Sequence, residues 1–183
     1  MEKRLVLAGF GGQGVMAVGQ MLTYAGMVEG KEVSWLPSYG PEMRGGTANC
    51  SVIISDTPIG SPVVEDIDIL FAFNAPSLHK FIDDVVPGGV VIVNSSLIEG
   101  KIERDDIGVC YIDATGIAME AGSAKASNMV MLGAYLGAAG NMSMEAVYDA
   151  FLNIFGEAKI KLWPTNEAAI KAGKAAAEAD LKK

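Results

Sequence analysis

Leu5-Val6-Leu7-Ala8-Gly9-Phe10-Gly11-Gly12-Gln13-Gly14 runs from an unbroken apolar stretch straight into a cluster of glycines. A short continuous apolar run ending at glycine is the pattern of a buried strand. Beyond Gly14, Val15, Val18, Leu22 and Ala25 recur three or four residues apart, on one face of a helix. Gly30 stands where a helix closes. Strand, glycine turn and helix together predict an α/β domain. In such a turn, glycines permit a tight bend and let a phosphate approach the free N–H groups of the helix N-terminus.

The rest of the chain alternates in the same way. Glu32–Leu36, Thr47–Ser55, Asp68–Asn74, Val90–Asn94 and Val109–Asp113 read as strands, rich in β-branched and apolar residues. Asn74-Ala75-Pro76-Ser77 opens a helix running to about Val85, and Pro87-Gly88-Gly89 reads as a turn. Ala114–Ala121, Asn128–Ala139, Ser143–Phe155 and Asn166–Lys182 follow as helices, with Ser143 as an N-cap. The last is Ala- and Lys-rich, which predicts a peripheral helix. The expected fold is a three-layer α/β/α, Rossmann-like single domain over residues 1–183. Its sheet is mostly parallel, and a hairpin-like pairing around Pro58 makes it mixed.

Half of the 183 residues are hydrophobic but only 7% are aromatic, so the core is built from Val, Ile, Leu, Met and Ala. Mean hydropathy is +0.30. Twenty-two acidic against 14 basic residues leave a net charge of −8. No basic patch for nucleic acid stands out against that balance. The apolar run Leu5–Phe10 is too short for a signal peptide, and no uninterrupted stretch of ~20 apolar residues offers a membrane span. The expected location is cytoplasmic. Cys50 and Cys110 lie far apart in strand-like runs and read as small buried hydrophobes. With no Cys-x-x-Cys and a lone His79, neither an iron–sulfur cluster nor a protein-only zinc site is expected from this chain alone.

Gly9–Gly14 satisfies G-x-G-x-x-G, which raises a stand-alone nucleotide-binding oxidoreductase as one reading. That site needs a carboxylate at the end of the second strand, about 20 residues on, for the ribose hydroxyls. The sequence there is Ser34-Trp35-Leu36-Pro37-Ser38, and no tyrosine begins a Tyr-x-x-x-Lys pattern. Two alternatives remain: glycines that let helix and sheet pack closely, or a phosphate contact from a cofactor shared with another subunit.

Ser38-Tyr39-Gly40-Pro41-Glu42-Met43-Arg44-Gly45-Gly46 follows the second strand, so it projects from the same sheet edge as the glycine loop. Arg44 offers a planar cation for carboxylate or phosphate, and Glu42 either braces Arg44 or accepts from a ligand. Tyr39 and Met43 suit the centre of a subunit interface. Asn128 either caps its helix or points at the ligand edge.

The pairing of GFGGQG at Gly9–Gly14 with SYGPEMRGG at Ser38–Gly46 resembles the gamma subunits of 2-oxoacid:ferredoxin oxidoreductases. Asn128-Met129-Val130-Met131-Leu132-Gly133 and Asn166–Gly173 extend the likeness over nearly the whole chain. The resemblance implies a subunit of an enzyme that decarboxylates a 2-oxoacid oxidatively, with CoA, to an acyl-CoA, carbon dioxide and reduced ferredoxin. 2-Oxoglutarate ranks first as substrate, before pyruvate, branched-chain oxoacids and indolepyruvate. It further implies thiamine diphosphate, Mg and iron–sulfur clusters carried by alpha and beta subunits and a ferredoxin-like delta subunit. None is bound by this chain alone, which is expected to be inactive in isolation. Its implied cofactor-facing residues are Gly11, Gly12, Gln13, Gly14, Ser38, Tyr39, Gly40, Pro41, Glu42, Met43, Arg44, Gly45, Gly46 and Asn128. No catalytic residue and no metal ligand is expected here.

Overall fold

The computed structural model describes residues 1–38, 47–140 and 142–181. The apolar run at the start becomes β1 (Glu2–Phe10), with Leu5–Gly9 buried, and α1 (Val15–Val28) follows the glycine turn. β2 (Glu32–Ser38), β3 (Thr47–Ser55), β4 (Ile67–Ala72), β5 (Val85–Asn94) and β6 (Gly108–Ile112) complete one six-stranded sheet in the order β2-β3-β1-β4-β5-β6. β1, β4, β5 and β6 are parallel, while β3 runs antiparallel to both β2 and β1. The sheet is therefore mixed and mostly parallel, as expected.

The source of the mixing differs from the sequence expectation. β3 and β4 flank Pro58 but do not pair, because β1 lies between them. The antiparallel partner of β3 in sequence is β2, in register from Glu32 opposite Ser55 to Ser38 opposite Asn49. Pro87-Gly88-Gly89 is likewise no turn. It lies inside β5, where the pairing slips from Ile67 opposite Val85 to Ile69 opposite Val90. The Gly88 N–H donates to the Asp106 carbonyl at 2.7 Å, which anchors this bulge.

The helices are unevenly shared between the two faces. α1, α3 (Ala114–Glu120), α4 (Ser127–Ala138), α5 (Met144–Phe155) and α6 (Trp163–Asp180) pack with Leu5, Leu7, Val52, Phe71 and Ile92 into the larger core. α2 (Ala75–Phe81) and the segment around Ile98, Ile102 and Ile107 cover Val6, Leu70, Val91 and Val93 on the other face. The helix opened by Asn74 stops at Phe81, and a 3-10 turn over Ile82–Asp84 replaces its expected end. As the sequence predicts, Ser143 caps α5, its Oγ accepting from the Ala146 N–H at 3.1 Å.

α6 is not peripheral. It starts at Trp163, whose ring meets Tyr148 edge-on at 4.9 Å and Phe151 at 5.2 Å. Ala169, Ile170, Gly173 and Ala177 are buried. Its small residues bring its backbone directly against α4. A Cβ built on Gly133 would lie 1.9 Å from the Ile170 carbonyl oxygen, and one on Gly173 2.1 Å from that of Val130. Low hydrophobicity here marks close helix contact rather than exposure.

Candidate functional site

The carboxyl ends of β1, β2, β4, β5 and β6 share one edge of the sheet, the edge at which α/β folds take ligands. Gly11, Gly12, Gln13 and Gly14 lie there between β1 and α1. Gly14 occupies the N-cap position of α1 with φ 76°, and no side chain caps the helix. No acidic residue stands in its first turn either. The first N–H groups of α1 thus lack a side-chain acceptor, and the helix dipole adds partial positive charge beside them. A Cβ on Gly12 would meet nothing within 4 Å, so the turn is open on its outer side.

Gln13 faces inward. Its Oε1 accepts from the Phe10 N–H at 2.6 Å and the Asn74 amide at 3.0 Å, and its Nε2 donates to the Phe73 carbonyl at 3.4 Å. The side chain therefore ties the ends of β1 and β4 and sets the path of the turn. Asn74 also caps α2, its Oδ1 accepting from the Ser77 N–H at 3.0 Å. The sequence shows Asn74 as a helix opener and gives no sign of its bond to Gln13.

Asn128 joins the loop from α4. The cap position of that helix is Ala126, so Asn128 sits inside the first turn and is not the cap. Its amide packs on Gly14: a Cβ there would lie 2.4 Å from Asn128 Nδ2. Of the second loop, Ser38 is exposed at the end of β2, level with Asn49 and Ala8. Thr47 pairs with Phe10, one residue before Gly11. The two anchors of the second loop thus flank the root of the glycine loop. Tyr39, Gly40, Pro41, Glu42, Met43, Arg44, Gly45 and Gly46 lie outside the described residues.

The same edge carries a polar pair that sequence reading did not single out. Ser96 Oγ donates to Asp113 Oδ1 at 2.6 Å and accepts from the Thr115 N–H at 2.9 Å. The Ser96 hydroxyl, then the Gly116 N–H, hold the Asp113 carboxyl below its ordinary value. Asp113 also caps α3. A carboxylate so engaged orders β5, β6 and α3. The available signal was a polar residue closing each apolar run.

The family model for pyruvate ferredoxin/flavodoxin oxidoreductase matches residues 4–176. The chain belongs to this family. It is 45% identical over 132 residues to ketoisovalerate oxidoreductase subunit VorA of Methanothermobacter thermautotrophicus, a match covering 72% of this chain and 27% of that protein. With 2-oxoglutarate synthase subunit KorC of Methanocaldococcus jannaschii it shares 38% identity over 156 residues, 84% of this chain and 83% of the relative. The keto/oxoacid ferredoxin oxidoreductase gamma subunit of Geobacter sulfurreducens superposes with a TM-score of 0.81 at 30% identity, over 97% of this chain and 99% of that one. A 2-oxoglutarate:ferredoxin oxidoreductase chain of Magnetococcus marinus, solved with 2-oxoglutarate, coenzyme A and succinyl-CoA bound, gives 0.87 at 25% identity, over 97% of this chain and 31% of that one. The chain thus spans about a quarter of VorA and most of KorC.

The donor set of this oxidoreductase family member does not fit an iron–sulfur cluster. Cys50 on β3 and Cys110 on β6 are separated by four strand spacings, roughly 19 Å. Burial pushes their thiols up to about 12 and about 11, away from the thiolate form that ligates iron. Among the described residues no group of three or more His, Cys, Asp or Glu could hold a metal ion. Nor, among those residues, is any helix long and apolar enough to cross a membrane.

Proposed function

We propose that the chain is the gamma subunit of a multi-subunit 2-oxoacid:ferredoxin oxidoreductase acting on 2-oxoglutarate. The reaction joins the 2-oxoacid and CoA into an acyl-CoA with loss of carbon dioxide, and the two electrons released reduce ferredoxin. The observation that carries this reading is the uncapped start of α1 behind Gly11–Gly14, with Asn128 packed on Gly14 and with Ser38 and Thr47 at strand ends on the same sheet edge. Among the described residues gathered there, that arrangement offers N–H donors to an anion and no titratable side chain. It is half of a site that other subunits complete, so the isolated chain is inactive.

In this assignment thiamine diphosphate, Mg and iron–sulfur clusters belong to alpha, beta and ferredoxin-like delta partners. They supply the carbanion and electron-transfer chemistry. The gamma chain, working as one domain, contributes positioning. The glycine turn and the first turn of α1 receive a phosphate of CoA or a substrate carboxylate, and the Arg44 guanidinium is the cation assigned to the same anion. Coenzyme A and 2-oxoglutarate in the Magnetococcus enzyme support this choice of ligands, and the near full-length match to KorC supports 2-oxoglutarate. The 45% identity to VorA keeps 2-oxoisovalerate as the competing substrate. A stand-alone nucleotide-dependent oxidoreductase is disfavoured by the absence of a carboxylate at the Ser38 end of β2.

Affinity purification from the native cell tests the assignment. Copurifying thiamine-diphosphate-binding chains and CoA-dependent ferredoxin reduction with 2-oxoglutarate are expected. A chain that purifies alone and reduces NAD would overturn the assignment, whereas faster turnover of 2-oxoisovalerate would overturn only the substrate.

A further inference from the structure

A cavity of about 500 Å³ lies between the start of α4, the end of α5 and the start of α6. Its size is that of ordinary small-molecule sites. Phe151 and Phe155 form its apolar wall, with ring centroids 4.9 Å apart and planes tilted by 44°. Lys125 and Lys159 also line it. Neither lysine has an ion-pair partner among the described residues. Among the described residues no carboxylate lines the cavity, in a chain whose net charge is −8.

The remaining polar lining is amide and hydroxyl. Ser123 and Thr165 contribute hydroxyls, and Asn166 contributes an amide whose nitrogen donates to the Leu162 carbonyl at 2.8 Å. Asn128 lines the cavity as well, so the amide that packs on Gly14 also borders this second space. Two ammonium groups attract a compact anion, and tilted rings take a flat apolar body against their faces or edges. Neither feature alone would select a ligand. Together they select a molecule carrying both.

We propose that this cavity is a binding site for a small organic anion with an aromatic body, held by Lys125 and Lys159 through its charge and by Phe151 and Phe155 through its ring. The site is contained within this chain and does not depend on the assignment of the glycine loop. Ligand and protein exchange no atoms or electrons here.

Calorimetric titration of the full chain with phenyl phosphate tests the site, with inorganic phosphate and benzyl alcohol as the two half-ligands. Phenyl phosphate should bind one-to-one, at least roughly tenfold tighter than either half-ligand, because charge and ring contribute together. The Lys125→Ala/Lys159→Ala variant should weaken it by roughly tenfold or more and remove its salt dependence. Both lysines are exposed, so the variant keeps the fold. Phe155→Leu, which retains bulk without the ring, should weaken phenyl phosphate while leaving inorganic phosphate unchanged. No binding of phenyl phosphate, or affinity indifferent to the lysine pair, would overturn the proposal. So would equal affinity for inorganic phosphate, since that is attraction to charge alone.

Discussion

The amide of Asn128 lies against Gly14, so close that a Cβ at Gly14 would sit 2.4 Å from its nitrogen. α1 and α4 therefore meet at the root of the glycine turn. Two demands fall on Gly14 together: a φ of 76° and the absence of a side chain. Gly14→Ala should lose about 2–4 kcal/mol, from left-handed backbone strain and overpacking combined. Adding Asn128→Ala removes the two nearest atoms and leaves only the Asn128 Cβ contact at 3.1 Å and the strain, so the double variant should recover part of the loss. Urea unfolding of the four proteins in a double-mutant cycle gives the coupling. Additive losses would show that the two residues do not touch.

Gly133 and Gly173 make a second close approach, this time backbone to backbone between α4 and α6. A methyl group at either would collide with a carbonyl that cannot turn aside. Gly133→Ala and Gly173→Ala should each cost about 3 kcal/mol or more, at or above the upper end of ordinary overpacking. Gly60→Ala is the control, since a Cβ there meets nothing within 4 Å. Its stability should change by less than about 1 kcal/mol. Thermal and urea unfolding would register the contrast, and equal effects at all three positions would contradict the helix contact.

How much of this was legible beforehand differs by element. β1, the glycine turn and α1 were, because an unbroken apolar run and a period near 3.6 are local signals. The place of β3 between β2 and β1 was not, since pairing across the sheet is decided by partners distant in sequence. The α6 helix misled for a physical reason: hydrophobicity measures burial by large side chains, and Gly173 buries backbone instead. Pro87-Gly88-Gly89 misled similarly, because turn-forming residues also build a bulge. The motifs point to Ser38 and Asn128, which the fold places at the sheet edge of the glycine turn, but the inward turn of Gln13 depends on Phe10, Phe73 and Asn74, which meet only in the fold.

The two thiols give a pH prediction with a definite sign. Burial raises Cys50 to about 12 and Cys110 to about 11 from an ordinary value of 9.0. The folded chain thus holds its protons where the unfolded chain releases them. This contribution to stability is complete below pH 9 and is lost as pH rises towards 11 and 12. Native protein at pH 8 should be inert to a thiol-specific disulfide reagent, and denaturant should expose two reactive groups. Rapid labelling of the native chain would contradict the burial.

Asp56 gives the opposite sign at the other end of the scale. Hydrogen bonds from Lys31 and then from the chain's N-terminal ammonium lower its carboxyl from 3.8 to about 2. Ionised, Asp56 ties the start of β1 to the segment between α1 and β2. Its contribution is present above pH 4 and lost as pH falls towards 2. All three groups reach solvent, so salt should weaken the effect. Asp56→Asn should flatten the stability profile between pH 4 and 2 at low salt, with little change at pH 7. A profile unchanged by the substitution would remove the clamp.

Substitution of Arg44 tests ligand binding against assembly in the proposed complex. If its guanidinium meets an anion at the glycine loop, Arg44→Ala should raise the KM for CoA or for the oxoacid by roughly 10- to 150-fold, the range for one charge-assisted hydrogen bond. The complex should still assemble. Arg44→Lys keeps the charge but loses the planar fork, so it should restore binding only in part. A role in bracing the loop against Glu42 predicts something else: Arg44→Ala and Glu42→Gln would then have matching effects on stability, and neither would act on one substrate alone. Size-exclusion chromatography of the purified complex, with KM measured for each substrate separately, distinguishes the two. An Arg44→Ala complex with unaltered assembly and unaltered KM for both substrates would take Arg44 out of the site.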